Sequence, residues 1–303
     1  MKLVTYQAGT EQRLGIWHDS KGILDMAKAG KSLLKRELPL DMLSLIEAGK
    51  SALDDARKLL DAALGKNDAW IASAGVKLCA PIPRMRKNVF CIGRNYKLHI
   101  EEGARARGVP PTYPKVPEIF SKPPTAVIGH GDEIQWDTRA TKQLDYEVEL
   151  GIVIGKRTKN IAEANALDAV FGYTVINDLS AREVQREHGQ WFKGKSMDTY
   201  CPIGPCIVTA DEFGSPSGHR LTTKINGGIR QDSNTSDMLF NCQQIIMWLS
   251  LGITLEPGDM IATGTPSGVA LGMTPQAWMQ DGDTCELEIE GIGVLSNKVR
   301  KIG

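Results

Sequence analysis

Residues 144–155 read LDYEVELGIVIG, and this run does most to decide the fold. Its β-branched and apolar residues, closed by a glycine, predict a strand. Because alternate side chains of a strand share a face, Glu147 and Glu149 are expected to point the same way, with their Cα atoms roughly 7 Å apart. A solvated strand face is one interpretation of such a pair. The apolar stretch 150–154 is typical instead of a strand buried on both faces, where two close carboxylates repel each other unless a cation or a proton lies between them.

A third carboxylate, Asp178, ends a second apolar run, residues 173–177. As one interpretation, it caps the short helix that is predicted to follow. Together with Glu147 and Glu149 it would instead form a site of oxygen ligands only, which suits Mg²⁺, Mn²⁺ or Ca²⁺. Three carboxylates leave coordination positions for water or substrate. The pattern therefore predicts a catalytic rather than a structural metal site.

His99 and Glu102 are three residues apart, so their side chains would be neighbours in a helix. A histidine oriented by a carboxylate is the usual form of a general base that works near neutral pH. An exposed histidine on an acidic turn is the alternative that this spacing leaves open.

Lys195 lies in the run GQWFKGKS, residues 189–196, which matches the phosphate-loop pattern in its letters. We reject a phosphate loop because the interior residues Gln-Trp-Phe-Lys are too bulky to wrap a phosphate and no helix is predicted to follow. Lys195 is interpreted instead as a cation beside the carboxylates, where it can stabilise an anionic intermediate.

The composition excludes several classes of function. Lysine plus arginine and aspartate plus glutamate both number 36, so the formal charge is zero and no nucleic-acid partner is expected. No apolar run approaches the ~20 residues that span a bilayer, and no signal peptide is recognised, so no membrane partner is expected. The six cysteines are scattered without metal-type or disulfide-type spacing, which indicates reduced thiols in a cytoplasmic protein.

The chain has 303 residues, enough for one large domain or for a large and a small one. Strand-like patterns near the N-terminus precede a predicted helix over residues 51–64, in which Ser51 and Asp54 resemble a capping box. The segment Pro81-Ile82-Pro83 then forms a natural linker. These features predict a small N-terminal α+β domain.

We therefore divide the chain into a small N-terminal domain, residues 1–80, and a catalytic domain, residues 81–303. Short strands dominate the second part, and clear helical patterns occur only at residues 161–170 and 240–251. There is no regular βαβ rhythm and no internal repeat. The predicted fold class is α+β, with a sheet-rich mixed β core and few short helices.

Taken in order, these motifs resemble the fumarylacetoacetate hydrolase family, in particular its short bacterial and acylpyruvase-like members. The resemblance extends from about residue 81 to residue 302, and several motifs in the right order are more specific than any one of them. The matching motifs are Gly93-Arg94-Asn95-Tyr96, His99 with Glu102, Phe120-Ser121-Lys122-Pro123, Asp145-Tyr146-Glu147-Val148-Glu149-Leu150, Asn177-Asp178 with Arg182 and Gln185, Lys195-Ser196-Met197-Asp198, and Gly264-Thr265-Pro266-Ser267-Gly268.

The resemblance implies a fold of the family's C-terminal domain type, a homodimer and a small 2-oxo acid as substrate. It implies Mg²⁺ or Mn²⁺, with Ca²⁺ as a further candidate, held by Glu147, Glu149 and Asp178. The implied catalytic residues are His99, Glu102 and Lys195. The implied substrate-binding residues are Arg182, Gln185, Lys122 and Thr265.

For the reaction, the resemblance implies a hydrolase that cleaves a C–C bond of an acylpyruvate such as fumarylpyruvate through a metal-chelated pyruvate enolate. Hydrolysis needs an activated water, for which the dyad of His99 and Glu102 would be the base. The alternative is a decarboxylase or isomerase of 2-oxo or 2-hydroxy-diene dicarboxylates, such as oxaloacetate or a hydroxyheptadienedioate, which passes through the same kind of enolate. The proline-rich residues 103–117 are either a lid over the site or an ordinary exposed loop.

Overall fold

Eighteen strands carry most of the fold, and the computed structural model describes residues 1–303 without a gap. The strands before residue 80 are β1 (Lys2–Ala8), β2 (Glu11–His18), β3 (Gly22–Asp25) and β4 (Trp70–Ile71). The later strands are β5 (Val89–Gly93), β6 (Glu118–Lys122), β7 (Val127–Ile128), β8 (Glu133–Asp137), β9 (Leu144–Asp145), β10 (Val148–Ile154), β11 (Val170–Asn177), β12 (Ser180–Ala181), β13 (Cys201–Thr209), β14 (Arg220–Ile225), β15 (Gly228–Asn234), β16 (Met260–Ala262), β17 (Thr284–Ile289) and β18 (Gly293–Ile302).

The helices are few and mostly short, which confirms the predicted α+β class with a sheet-rich core. The α-helices are α1 (Met26–Ala29), α2 (Met42–Ala63), α3 (Lys97–Ala106), α4 (Arg182–Glu187), α5 (Phe192–Lys195), α6 (Ala210–Phe213) and α7 (Cys242–Ser250). A π-helical turn and five 3₁₀ helices complete the set: Gly30–Leu34, then Asn67–Ala69, Pro124–Ala126, Glu163–Ala169, Thr235–Asp237 and Ala270–Gly272. None of the helices has the length and hydrophobicity that crossing a membrane requires.

One large sheet unites both parts of the chain. Its strand order is β4-β3-β2-β1-β13-β11-β10-β16-β5-β6, with β7 paired to β13. A second sheet has the order β15-β14-β17-β18-β8, and β9 and β12 form a small ribbon. Because β1 pairs with β13, the sheet is continuous across the expected boundary at residue 80. The division into two domains stays a prediction about how these parts fold.

Strand β10 is the centre of the core. All seven of its residues are buried, and its side chains alternate between two hydrophobic clusters. Leu150 and Ile152 belong to one cluster, and Val153 belongs to the other. The strand is therefore buried on both faces, which excludes the solvated-face interpretation of Glu147 and Glu149.

The predicted strand over residues 144–155 is interrupted once. Tyr146 and Glu147 lie between β9, which pairs with β12, and β10, which pairs with β11. Side-chain oxygens here accept the backbone hydrogen bonds that a neighbouring strand would otherwise accept. Asp145 Oδ1 accepts from the Tyr146 amide at 3.0 Å, and Asn177 Oδ1 accepts from the Glu147 amide at 3.1 Å. The break leaves Glu147 beside the end of β11, where Asp178 follows.

Two helix predictions differ from the structure. Helix α2 begins at Met42 rather than at residue 51, because the Asp41 carboxylate caps it by accepting from the Ser44 amide at 2.9 Å. The capping box at Ser51 is therefore wrong; α2 also contains a kink at Gly49, whose φ is 68°. Within the predicted helix over residues 161–170, the segment Glu163–Ala169 forms a 3₁₀ helix, in which the backbone hydrogen bonds join residues three apart rather than four.

Candidate active site

Three buried carboxylates meet where β10 begins and β11 ends. In this antiparallel pair Val148 lies opposite Asn177, so Glu147 and Asp178 are adjacent, and the Asp178 amide donates to the Glu147 carbonyl at 3.0 Å. Glu149 is two residues along β10. One ligand oxygen from each of the three side chains lies within 4.8 Å of the others. The strand register therefore brings the predicted metal ligands together.

Buried cations neutralise two of the three carboxylates. Lys195 Nζ lies 2.7 Å from Glu147 Oε2 and 2.8 Å from Asp178 Oδ2. Arg182 Nη2 donates to Glu147 Oε1 at 2.5 Å. Glu149 has no cationic partner, and its Oε2 accepts from the Gly264 amide at 2.7 Å. Glu149 is thus a buried carboxylate with only one hydrogen bond from the protein.

The pKa values follow from this unequal pairing. Burial would raise the pKa of Glu147, but Lys195 and Arg182 outweigh it and hold that pKa at about 2. Burial, followed by the charges of Asp178 and Glu147, raises the pKa of Glu149 well above its ordinary value. Burial would lower the pKa of Lys195, but its carboxylate neighbours raise it to about 12. A cation beside Glu149 would relieve this unfavourable burial.

The donor set fits a divalent ion. Each carboxylate oxygen has two lone pairs, so Glu147 and Asp178 retain acceptor capacity beyond their hydrogen bonds to lysine and arginine. The ligand atoms are all oxygens, which suits Mg²⁺, Mn²⁺ or Ca²⁺. Four buried carboxylates, with Asp145 counted, surround the centre together with three buried cations, Lys122, Arg182 and Lys195. Lys122 and Lys195 pair with Asp178, and Arg182 and Lys195 pair with Glu147, so Glu149 is the carboxylate of the triad that the protein leaves without a cation.

The predicted dyad forms on helix α3. His99 Nδ1 lies 2.8 Å from Glu102 Oε1, as the spacing of three residues predicts. The second oxygen, Glu102 Oε2, accepts from the Gly268 amide at 2.9 Å, so the carboxylate is fixed from both sides. His99 lines the same cavity as the carboxylate triad, whereas Glu102 lies behind it. The geometry allows Glu102 to orient the imidazole of His99.

Gly272→Ala is expected to disrupt this dyad. Gly272 has an ordinary backbone conformation, but a Cβ at this position would overlap the Glu102 carboxylate, which must then move away from His99. We expect turnover to fall roughly 10- to 100-fold while metal binding is unchanged. Steady-state kinetics and calorimetric titration with Mn²⁺ would measure the two effects.

The matched control is Gly65→Ala, because a Cβ at Gly65 would meet nothing within 4 Å. Wild-type turnover in Gly272→Ala, with the substitution verified by mass, would contradict the orienting role of Glu102.

A cavity of about 630 Å³ opens over the triad. Of the residues expected from the sequence, eight line it: His99, Glu147, Glu149, Asp178, Arg182, Gln185, Lys195 and Thr265. Arg182 and Gln185 are joined by a hydrogen bond of 3.0 Å, and the Thr265 hydroxyl accepts from Gln231 at 2.8 Å. The expected residues are thus brought together around one cavity.

Lys122 requires a correction. It was expected to bind substrate, but it is fully buried and does not line the cavity. Its Nζ donates to Asp178 Oδ1 at 2.6 Å and to the Leu179 carbonyl at 3.0 Å. Lys122 therefore positions the Asp178 carboxylate from outside the cavity. A lysine at the end of a strand cannot be assigned to either side of its sheet from the sequence alone.

Two supporting features are visible only in three dimensions. Asp145 accepts from Arg182 Nε at 2.8 Å and from the Ala270 amide at 2.7 Å, so it joins the arginine to the loop that follows β16. An aromatic wall consists of Phe120 and Trp191, whose ring centroids lie 5.4 Å apart. The motif runs of the sequence contain these residues, but the motifs do not indicate their contacts.

The proline-rich segment begins within α3 and continues as an exposed irregular chain. Arg94 donates to the Thr112 carbonyl at 3.1 Å and forms an ion pair with Glu118, which fastens this chain at the cavity rim. Movement of the segment as a lid stays a prediction.

Comparison with known proteins identifies the family. The model described as fumarylacetoacetate (FAA) hydrolase C-terminal matches residues 88–300. The oxaloacetate tautomerase YisK of Bacillus subtilis (strain 168) is 42% identical over 305 aligned residues, which cover 99% of this chain and 100% of the relative.

Two solved structures share the fold along the whole chain. The 2-hydroxyhepta-2,4-diene-1,7-dioate isomerase from Mycobacterium marinum is 32% identical, with a TM-score of 0.74, and the match covers 100% of this chain and 99% of that one. The maleylpyruvate hydrolase from Sphingobium sp. SYK-6, solved with manganese(II) and pyruvate, is 28% identical, with a TM-score of 0.78 and full coverage of both chains.

These relatives include a tautomerase, an isomerase and a hydrolase, so the family is one of enzymes with both isomerase and hydrolase members. The family match covers well over half of the chain and confirms the resemblance found in the sequence motifs. This chain belongs to the fumarylacetoacetate hydrolase family.

Proposed function

We propose that this chain is a divalent-metal-dependent enzyme that interconverts the keto and enol forms of oxaloacetate. The observation that carries the proposal is that His99, Lys195 and the carboxylate triad line one cavity. Keto–enol exchange needs a base at the carbon beside the carbonyl group and positive charge at the carbonyl oxygen. The similarity to an oxaloacetate tautomerase along 99% of the chain supports this reaction over others of the family.

The residues of the site would have the following roles in this reaction. His99 takes a proton from C3 of oxaloacetate, a C2=C3 double bond forms, and negative charge moves to the oxygen on C2. Lys195 donates a hydrogen bond to that oxygen and stabilises its charge. A proton from solvent water then protonates the oxygen and gives the enol, while His99 returns the C3 proton to solvent; the reverse sequence gives the ketone. No water is consumed, so the dyad acts only as an acid and a base.

Glu147, Glu149 and Asp178 would hold the ion, which we propose to be Mg²⁺ or Mn²⁺, with Ca²⁺ as a further candidate. When bound, the ion supplies Lewis-acid stabilisation of negative charge on a substrate oxygen. The solved maleylpyruvate hydrolase with manganese supports this choice, as do the all-oxygen donors.

The charge of the site supports a dianionic substrate. The cavity is lined by five cationic side chains, Arg94, Arg107, Arg182, Arg186 and Lys195, and by four carboxylates, Glu118, Glu147, Glu149 and Asp178, and a bound divalent ion would add two positive charges. A 2-oxo dicarboxylate then enters a cavity of opposite sign, which raises both affinity and association rate. The homodimer implied by the family resemblance stays a prediction.

A second candidate is the hydrolysis of an acylpyruvate such as fumarylpyruvate, the main hypothesis from the sequence. The cavity of about 630 Å³ has room for a longer 2-oxo acid together with water, and His99 is positioned to activate that water. The support from relatives is weaker, since the maleylpyruvate hydrolase is 28% identical and the oxaloacetate tautomerase is 42% identical. We therefore place tautomerisation first.

Three reactions measured side by side with Mn²⁺ would test the proposal. These are the conversion of enol to keto oxaloacetate by ultraviolet absorbance, the release of CO₂ from oxaloacetate, and the release of pyruvate from fumarylpyruvate. We expect the highest kcat/KM for enol-to-keto conversion. A higher kcat/KM for pyruvate release would replace the proposal with the hydrolase, and dominant CO₂ release would replace it with a decarboxylase.

A further inference from the structure

One cation of the cavity has no partner in the protein. Five arginines and lysines line the cavity, and four of them are engaged by acceptors. The engaged cations are Arg94 with Glu118, Arg182 with Asp145 and Glu147, Lys195 with Glu147 and Asp178, and Arg186, which donates to Gln143 Oε1 at 3.0 Å. The fifth, Arg107, lies at the C-terminal end of α3, and its guanidinium makes no hydrogen bond or ion pair.

The guanidinium of Arg107 lies over the cavity face of α3. His99, Gly103 and Arg107 are spaced four residues apart and therefore share one face of the helix. An ideal Cβ on Gly103 would lie 3.3 Å from Arg107 Nη1 and 3.7 Å from Nη2, so the guanidinium is folded back over Gly103. This places it about one helical turn, roughly 5.4 Å along the axis, beyond His99.

Gly103 provides the space for this arrangement. The three atoms nearest to its ideal Cβ all belong to the Arg107 guanidinium, the closest at 3.3 Å, so an added methyl group would shift that flexible group by a few tenths of an ångström. Glycine inside a helix is otherwise unfavourable compared with alanine. The guanidinium of Arg107 therefore packs directly against the helix at Gly103.

We propose that Arg107 binds the second carboxylate of a 2-oxo dicarboxylate, and that Gly103 seats the guanidinium for this contact. The inference rests on the proposed function for the position of the 2-oxo group at the triad and of C3 at His99. A carboxylate attached to C3 then extends along α3 towards Arg107. A guanidinium with five free donors binds a carboxylate by two parallel hydrogen bonds. Arg107 thereby selects dicarboxylates over 2-oxo acids with an uncharged end.

Two matched probes would test the inference by binding alone. N-oxalylglycine carries a distal carboxylate and N-ethyloxamate carries a methyl group in its place, and neither compound can enolise. In calorimetric titrations of the Mn²⁺-loaded enzyme, Arg107→Gln is expected to weaken binding of N-oxalylglycine about tenfold or more. Its affinity for N-ethyloxamate is expected to stay within twofold of wild type. Arg186→Gln, the control cation of the same cavity, is expected to change neither affinity.

Kinetics would extend the test to the reaction. Arg107→Gln is expected to lower kcat/KM for oxaloacetate about tenfold or more and to have little effect on kcat/KM for its 4-methyl ester. Gly103→Ala, in which the guanidinium has to shift by only a few tenths of an ångström, is expected to change the preference in the same direction but less than Arg107→Gln does, while its melting temperature is equal to or above that of wild type because alanine favours the helix. A general loss of folding would instead lower the melting temperature and impair both substrates.

The inference would be overturned by an equal effect of Arg107→Gln on both binding probes, or by a selective loss in Arg186→Gln. Failure of the proposed function is a separate outcome. A wild-type enzyme that does not tautomerise oxaloacetate would refute that function, and the titrations with N-oxalylglycine and N-ethyloxamate would still decide the role of Arg107.

Discussion

Glu149→Gln is expected to abolish binding of the divalent ion and to lower turnover by about 10³-fold or more, equivalent to roughly 4 kcal/mol of transition-state stabilisation. Glutamine has the same shape as glutamate, and its amide oxygen can still accept from the Gly264 amide. The substitution removes one negative charge and one anionic ligand from the triad. The two remaining ligands, Glu147 and Asp178, are both paired with buried cations, so no carboxylate without a cationic partner is left to attract an ion.

The fold should tolerate this change. Burial and the charges of Asp178 and Glu147 raise the pKa of Glu149, so its ionised form is unfavourable in the metal-free protein. A neutral amide avoids that penalty, and we expect the melting temperature of metal-free Glu149→Gln to equal or exceed that of the metal-free wild type. Calorimetric titration with Mn²⁺ and thermal denaturation would measure both effects.

Glu288→Gln provides the matched control, because Glu288 is an exposed glutamate on β17. We expect this variant to bind Mn²⁺ and turn over substrate as the wild type does. Wild-type Mn²⁺ affinity in Glu149→Gln would contradict the assignment of Glu149 as a ligand.

His99→Ala is expected to lower turnover by roughly 10²- to 10⁴-fold, the usual contribution of a general base. Metal binding should be unchanged, because the imidazole bonds to Glu102 and not to the triad. Loss of turnover with intact Mn²⁺ affinity separates His99→Ala from Glu149→Gln. Steady-state kinetics on oxaloacetate and Mn²⁺ titration of the same preparations would show this difference.

His188→Ala is the control for the removal of an imidazole, since His188 is exposed at the end of α4 and does not line the cavity. Its turnover should match that of the wild type. Undiminished oxaloacetate tautomerisation by His99→Ala would remove the dyad from the mechanism and leave Lys195 and the bound ion to account for the rate.

The predictable parts of the site are those set by short-range geometry. The dyad follows from helical spacing, because residues three apart on one helix are neighbours wherever the helix lies. The acidic pair follows from the apolar run after Glu149, which is typical of a buried strand and is inconsistent with a solvated face. Asp178 joins the pair because β11 is the antiparallel neighbour of β10. The family resemblance implied Asp178 as a third ligand, but it did not indicate this strand pairing, and neither did the spacing of the residues.

The unpredicted parts depend on contacts between distant residues. Lys122 and Asp178 are 56 positions apart, and no local pattern shows that the lysine approaches from behind the carboxylate. Gly272 and Glu102 are also distant in the sequence, and no local pattern shows that Gly272 lies against the Glu102 carboxylate. The break in the strand at Tyr146 could not be predicted from the sequence either. It depends on the Asn177 side chain, which accepts a hydrogen bond from the backbone amide of Glu147. Pairing of β1 with β13 joins the expected domains through one sheet in the same way.

The central claim is that His99 exchanges the C3 proton of oxaloacetate in a site whose carboxylate triad would hold a divalent ion that stabilises the negative charge. The most direct test is the rate of enol-to-keto conversion by one enzyme preparation after exhaustive chelation and again after Mn²⁺ is added back. We predict that the chelated enzyme gives only the uncatalysed rate and that one equivalent of Mn²⁺ restores full activity. A full catalytic rate in enzyme shown by elemental analysis to be free of metal would contradict the claim.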